Sequence, residues 1–343
     1  KAFLTQGVTN MRKINGVPFT AHIDLSSLTG GEVIKWDSTN TLMAWEDQDS
    51  TGFVPLPAWV GGRGVFGGGE ASGKSNIIDY ITIATTGNAI DFGDLTAAKN
   101  SIVACSDSTT GVFAGGHDGS SPVNVIDYIT ISTIGNALDF GDLTTARYGT
   151  GACSDGTYGV FGGGQDGASS VNTIDYITIS TTGNALDFGD LTVARYSAGA
   201  CSDSTKGVFG GGLAGGNLNT IDYVTIATTG NALDFGDLTV TRRYLTACSD
   251  STRGVFGGGY ISSANDTIDY ITIATTGNAT DFGDLTVARR HPSGCSDATK
   301  GVFGGGGGPV NTIDYVTIAT TSNATDFGDL TVARDSAGGL SGD

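Results

Sequence analysis

Along most of the chain, short apolar runs recur at regular intervals, separated by glycine and small polar residues. One stretch shows the pattern. Tyr148–Ser154 leads to a polar turn at Asp155–Thr157, and the apolar Tyr158–Phe161 ends in Gly162–Gly164. Thr173–Thr181 is β-branched and aromatic, and a Thr-Gly-Asn turn at 182–184 leads into Ala185–Leu191. Isoleucine, valine, threonine, tyrosine and phenylalanine favour strands, and Gly, Asn, Asp and Ser punctuate them. No segment carries helical periodicity over ten residues, so the pattern predicts four short strands. The apolar positions do not alternate cleanly, as expected of sheets covered on both faces.

The four-strand unit repeats. Gly-Val-Phe starts at Gly64, Gly111, Gly159, Gly207, Gly254 and Gly301. The Asp of Ile-Asp-Tyr falls at 79, 127, 175, 222, 269 and 314, and Asp-Phe-Gly-Asp starts at 91, 139, 187, 234, 281 and 326. Six copies of about 47 residues fill the chain from Gly64 onwards. Four strands per period of that length predict an all-β, six-bladed propeller with four-stranded blades over 62–343. Residues 1–61 lack the repeat and hold all three tryptophans, which sets a domain boundary near Pro57–Gly62. After Arg334, Asp-Ser-Ala-Gly-Gly-Leu-Ser-Gly-Asp matches Tyr196-Ser-Ala-Gly-Ala-Cys-Ser-Asp. The C-terminus therefore reads as a lone first strand. The copy at Gly64 lacks one, so residues 334–342 are expected to close the ring beside Val65–Phe66, leaving no long unpaired edge.

Arg147-Tyr148, Gly159-Val160-Phe161-Gly162-Gly163, Ile174-Asp175-Tyr176, Thr182-Gly183-Asn184, Gly189-Asp190-Leu191 and Arg195 together resemble a kelch repeat. Phe188 and its counterparts stand where kelch repeats usually carry tryptophan. The resemblance implies a propeller and says little of function, since kelch propellers host enzymes and binding modules alike. Within 1–61, Asp24-Leu25, Leu28, Gly31, Val33, Trp36-Asp37 and Trp45 are similar to linker modules of bacteriophage tail fibres. The near-identical copies with Thr-Gly-Asn-Ala and Asp-Phe-Gly-Asp also resemble virion proteins of marine phages. The two resemblances imply a non-enzymatic virion appendage, attached to other virion proteins through 1–61 and acting as a homo-oligomer within the particle. The alternative is a carbohydrate-binding or carbohydrate-active propeller not tied to a virion.

Differences among the copies point to a working face. The Ser-Asp-Ser-Thr and Thr-Thr-Gly-Asn turns barely change, whereas the loop after the triple glycine changes every time, as does the entry to strand one. In an antiparallel blade both variable sets fall at one end. Lys74, His117, Asp118, Gln165, Asp166, Tyr260, Asp266, Arg290 and His291 are the candidate contact residues for a host-surface glycan or protein, or for a neighbouring virion subunit.

Composition sharpens this picture. Glycine numbers 56 of 343 and the net charge is −18. Both excesses are periodic, since about −16 of the charge lies in the repeats. Such acidity repels phosphate and argues against nucleic acid. No apolar run approaches membrane-spanning length.

Candidate chemistry is sparse, with no expected cofactor, metal or catalytic residue. Gly68–Ser75 fits the phosphate-loop pattern, but a strand rather than a helix should follow it. The Asp-Phe-Gly-Asp acids are expected to orient turns or to pair with the basic residue that follows, Lys99, Arg147, Arg195, Arg242, Arg289 or Arg334. The five cysteines share one register without Cys-x-x-Cys spacing and read as buried thiols. Histidines are too few for a copper oxidase, and the arginines fall one per blade rather than in a sialidase cluster.

Overall fold

A computed structural model describes residues 62–342, together with the strand residues of the N-terminal portion. The chain divides into two compact units, Lys1–Val60 and Gly61–Asp343. In the first, Glu32–Asp37 pairs antiparallel with Leu42–Asp47, which also pairs with Val54–Pro55. Most of the tail-fibre-like segment and its expected attachment role lie outside the described residues.

The second unit is a six-bladed β-propeller of four-stranded antiparallel sheets. Blade three, for example, comprises Gly151–Ser154, Tyr158–Gly162, Thr173–Thr178 and Leu186–Asp190. The first strand is shorter than the expected Tyr148–Ser154, because Gly149 takes a left-handed conformation with φ 64° and breaks the extended run. Strand three stops at Thr178, where Thr181 N–H turns back to Thr178 O (3.1 Å). The ring closes as the sequence predicts: Gly338–Gly342 pairs with Arg63–Gly67, setting Leu340 opposite Val65.

The apolar core lies between blades. Cys105, Val112, Ile126, Phe140 and Leu143 of blade two pack with Phe161, Ile177 and Ile179 of blade three, and each junction repeats this grouping. Close packing explains the glycines. A Cβ on Gly162 would sit 2.8 Å from the Phe209 ring of the next blade. Gly163 and Gly164 have φ 68° and 113°, which residues with a side chain rarely adopt. They turn the chain so that Gly164 N–H reaches Arg195 O (2.8 Å).

The repeated basic residue is a bolt between strands. Arg147 Nη2 lies 2.8 Å from Asp175 Oδ2, both fully buried. Its two terminal nitrogens donate to Thr173 O (2.7 Å) and Phe161 O (3.2 Å). Thr144 of the preceding connection donates through its hydroxyl to Asp175 Oδ1 (2.7 Å). The same pairing joins Lys99 to Asp127, Arg195 to Asp222, Arg242 to Asp269, Arg289 to Asp314 and Arg334 to Asp79. This corrects one sequence expectation: the partner is the Asp of Ile-Asp-Tyr, not an acid of Asp-Phe-Gly-Asp. A bulge after Ile174 shifts the register at Asp175, and bulges of this kind re-aim side chains. Burial pulls the Arg147 guanidinium below its ordinary pKa, and Asp175 opposes that shift.

All five cysteines are buried free thiols. Burial pushes the Cys248 thiol up to about 12, so these thiols stay protonated and act as packing groups.

Candidate functional site at the propeller mouth

Strand one of every blade lines a central channel of about 220 Å³. At one end Ser154, Ser202, Ser249 and Ser296 each donate a hydroxyl hydrogen bond to the serine carbonyl of the preceding blade, all at 2.7 Å. Ser106 continues the circle to Ser341 O.

The opposite end carries the variation, and its geometry is a second circle. Ser101, Gly149, Ser197, Tyr244, His291 and Ser336 all have φ between 52° and 64°. Each donates its backbone N–H to the carbonyl of its counterpart one blade earlier, at 2.6–3.2 Å. The circle runs without interruption through all six blades. Left-handed conformations cost free energy for residues with a Cβ, and here the circle of hydrogen bonds holds them in place.

Outside this circle lie two further rings where the copies differ. The residue after each basic bolt is Asn100, Tyr148, Tyr196, Arg243, Arg290 or Asp335. Five of these face the residue that opens the variable loop: Asn100–His117, Tyr148–Gln165, Tyr196–Leu213, Arg243–Tyr260 and Asp335–Glu70 are bridged backbone pairs. In the sixth, Gly307 N–H donates to Arg290 O (2.6 Å). The loops after strand two and the entries to strand one therefore share one end, as their variability in sequence suggests.

Aromatic rings form an arc around this mouth. His117 meets Tyr148 edge-on (5.4 Å between centroids), Tyr148 meets Tyr196 (6.4 Å) and Tyr196 meets Tyr244 (6.5 Å). Tyr244 stacks on His291 at 3.7 Å with 27° between planes. Tyr148 OH donates to Gln165 Oε1. The Arg243 guanidinium sits 5.0 Å from the Tyr244 centroid and 4.8 Å from that of Tyr260, while Arg290 lies 5.9 Å from Tyr260. Burial, with the Arg290 and Arg243 charges, lowers His291 to about 3, so its imidazole is neutral at pH 7.

The candidate residues thus divide. His117, Gln165, Tyr260, Arg290 and His291 gather at the mouth. Lys74 binds Glu70 at 2.8 Å. Asp118 and Asp166 accept backbone N–H bonds inside their own turns. The Ser120 hydroxyl and these backbone donors hold Asp118 at about 2. Asp266 stands apart: its carbonyl accepts from Leu285 N–H after the outer strand (2.8 Å), and loss of water contact, then the Asp266 charge, raise the Asp284 carboxyl. Sequence reasoning missed Tyr148, Tyr196, Arg243, Tyr244 and Asn217 as site residues. The first four were readable as breaks in the repeat one or two places after the basic residue.

The phosphate-loop pattern forms no cradle. Gly68–Ser75 leads into the strand Ile77–Thr82, and Lys74 is engaged by Glu70. Among the described residues no group of three or more His, Cys, Asp or Glu is placed to hold a metal ion, and no helix is long and apolar enough to cross a membrane. Compared with known proteins, the chain matches no family model and no curated protein. The fold defines it as a six-bladed propeller, and the rings of unlike residues at its mouth define the candidate site.

Proposed function

We propose that the propeller is a recognition module, a kelch-like virion appendage whose mouth contacts a host surface or a neighbouring virion subunit without catalysis. The observation that carries this reading is the change, copy by copy, of three whole rings of residues at one end. The buried bolts, the inter-blade packing and the opposite turns repeat almost unchanged, while three rings at the mouth differ blade by blade. At the opposite end the change in charge and aromaticity falls on one residue per copy, Arg63, Thr110, Tyr158, Lys206, Arg253 or Lys300 at the start of strand two. The virion setting rests on the resemblance of 1–61 to tail-fibre modules and of the repeats to phage virion proteins. Residues 1–61 are then the attachment to the particle, and the protein acts outside the cell as part of it.

Alanine clusters in the variable loops test this. Replacing His117–Ser120 or Tyr260–Ser263 should weaken attachment of particles or beads carrying the full chain to host cells, with the melting temperature unchanged. Undiminished attachment by every cluster variant refutes it. A second reading, a carbohydrate-binding propeller independent of any virion, draws on the arc of Tyr148, Tyr196 and Tyr244. Labelled antibody against the chain on purified particles separates the two.

A further inference from the structure

We propose that the notch between blades five and six binds the carboxylate of an acidic sugar residue. Arg243 and Arg290 hold the carboxylate, and the Tyr244–His291 stack and Tyr260 wall the sugar body. This rests on the recognition reading above and gives that face a ligand class.

Acids outnumber bases 35 to 17 in this chain. The other cations described at this end or in the core, Lys74 and the six bolts, each have a carboxylate partner within about 3.1 Å. Arg243 and Arg290 have none within 4 Å among the described residues, although they flank the same Tyr260 ring. Asn217 fixes the first of them. Its Oδ1 accepts from Arg243 Nη1 (3.0 Å), and its Nδ2 donates to Tyr260 O (3.2 Å) and Ile261 O (2.9 Å). Arg243 Nε is buried without a hydrogen-bond partner. A guanidinium held between two rings and an amide is a preorganised anion receptor.

Blade six supplies the open space. Its loop, Gly307–Asn311, is the shortest of the six, and it opens with glycine where the other copies carry Glu70, His117, Gln165, Leu213 and Tyr260. A Cβ on Gly307 would lie 2.7 Å from Arg290 Nε, so glycine admits the exposed Arg290 side chain. The far wall is acidic: Asp335 bridges Glu70, and burial and the Glu70 charge raise its carboxyl against the Ser336 hydrogen bond and the charges of Arg290 and Lys74. That wall, with the net charge of −18, turns away a polyanion such as nucleic acid. One carboxylate on a neutral, hydroxyl-rich body matches two arginines, aromatic faces and amides. Burial lowers the His291 imidazole, and the Arg290 and Arg243 charges in the same notch lower it further.

Titration calorimetry on the full chain tests the inference, with methyl galacturonide, methyl glucuronide and sialyl-lactose, each carrying a single carboxylate, as probes. Carboxyl-reduced forms and a tetraglutamate peptide serve as competitors in class. A site this open supports a Kd of about 1 mM or somewhat tighter. At least one acidic sugar should bind in that range. Reduction of its carboxyl, or R290Q, should each weaken it about tenfold, with R243Q as the second variant. Saturation should also raise the imidazole pKa of His291, read by NMR, because a bound carboxylate offsets the two arginines. Equal binding of the reduced sugar, tighter binding of the peptide, or no binding of any acidic probe at about 10 mM overturns the inference. If the sugars fail while the alanine clusters still abolish attachment, this ligand class falls and the recognition reading stands. If the sugars bind and the clusters leave attachment intact, the reverse holds.

Discussion

Replacing Lys99 by arginine should stabilise the propeller. Five of the six bolts are arginine and one is lysine, so the protein contains its own comparison. Arg147 makes two bonds to backbone carbonyls, at 2.7 and 3.2 Å, besides its ion pair. Lys99 Nζ makes one, at 3.4 Å, to Val125 O. It also lies 3.1 Å from Asp127 Oδ2, yet off the hydrogen-bond direction, leaving that oxygen without an aligned donor in a fully buried site. Arginine at 99 should add a bond to Phe113 O, matching the Arg147–Phe161 bond, and should satisfy Asp127. A hydrogen bond to a charged group contributes about 1.5–3 kcal/mol, and the larger buried side chain offsets part of it. The expected net gain is about 1–2 kcal/mol, or roughly 2–4 °C in Tm for a domain of this size. Differential scanning calorimetry checks it. The converse variant, Arg195→Lys, should lose a similar amount, and Arg195→Met, which strands Asp222 in the core, about 3–5 kcal/mol. A Lys99→Arg protein no more stable than the parent would refute the idea that bonding to carbonyls makes arginine the better bolt.

Two further predictions concern the packing and the mouth. A Cβ on Gly254 would lie 2.5 Å from Cys201 Sγ in the preceding blade, so Gly254→Ala should destabilise by about 1–3 kcal/mol. Adding Cys201→Ala should restore part of that loss, and an additive double-mutant cycle would show that the two residues do not share the space. His291 is depressed to about 3, so between about pH 3 and 6.5 the unfolded chain binds the extra proton and stability falls as pH drops through that window. His291→Asn, which keeps a residue tolerant of φ 55°, should lose stability less steeply over the same window. Parallel curves from urea titrations at several pH values would count against the half-buried, neutral imidazole.

Much of the architecture was legible along the chain because each blade is short and built from local turn chemistry. Gly-Val-Phe, Ile-Asp-Tyr and Asp-Phe-Gly-Asp mark three strands at fixed spacing, and the unmatched segment after Arg334 revealed the closing strand. The variable end was legible too, since alternation of strand direction decides which connections share a face. The partner of each arginine was not. Arg147 and Asp175 are 28 positions apart, and Asp187 and Asp190 of the same copy looked equally available. Only the bulge at strand three, which turns the buried Asp175 carboxylate toward Arg147, decides the pairing. The circle of left-handed residues was hidden for a similar reason. Ser197, Tyr244 and His291 favour no such conformation individually, and it arises from hydrogen bonds between residues about 47 positions apart. The sequence by itself thus determined the repeat, the ring and the end where copies diverge, because these follow from local strand and turn preferences. The tertiary structure alone decided which of the divergent residues meet. Closing six blades into a ring brings Arg243, Tyr260, Arg290 and His291 into one notch and leaves Asp266 at the outer edge.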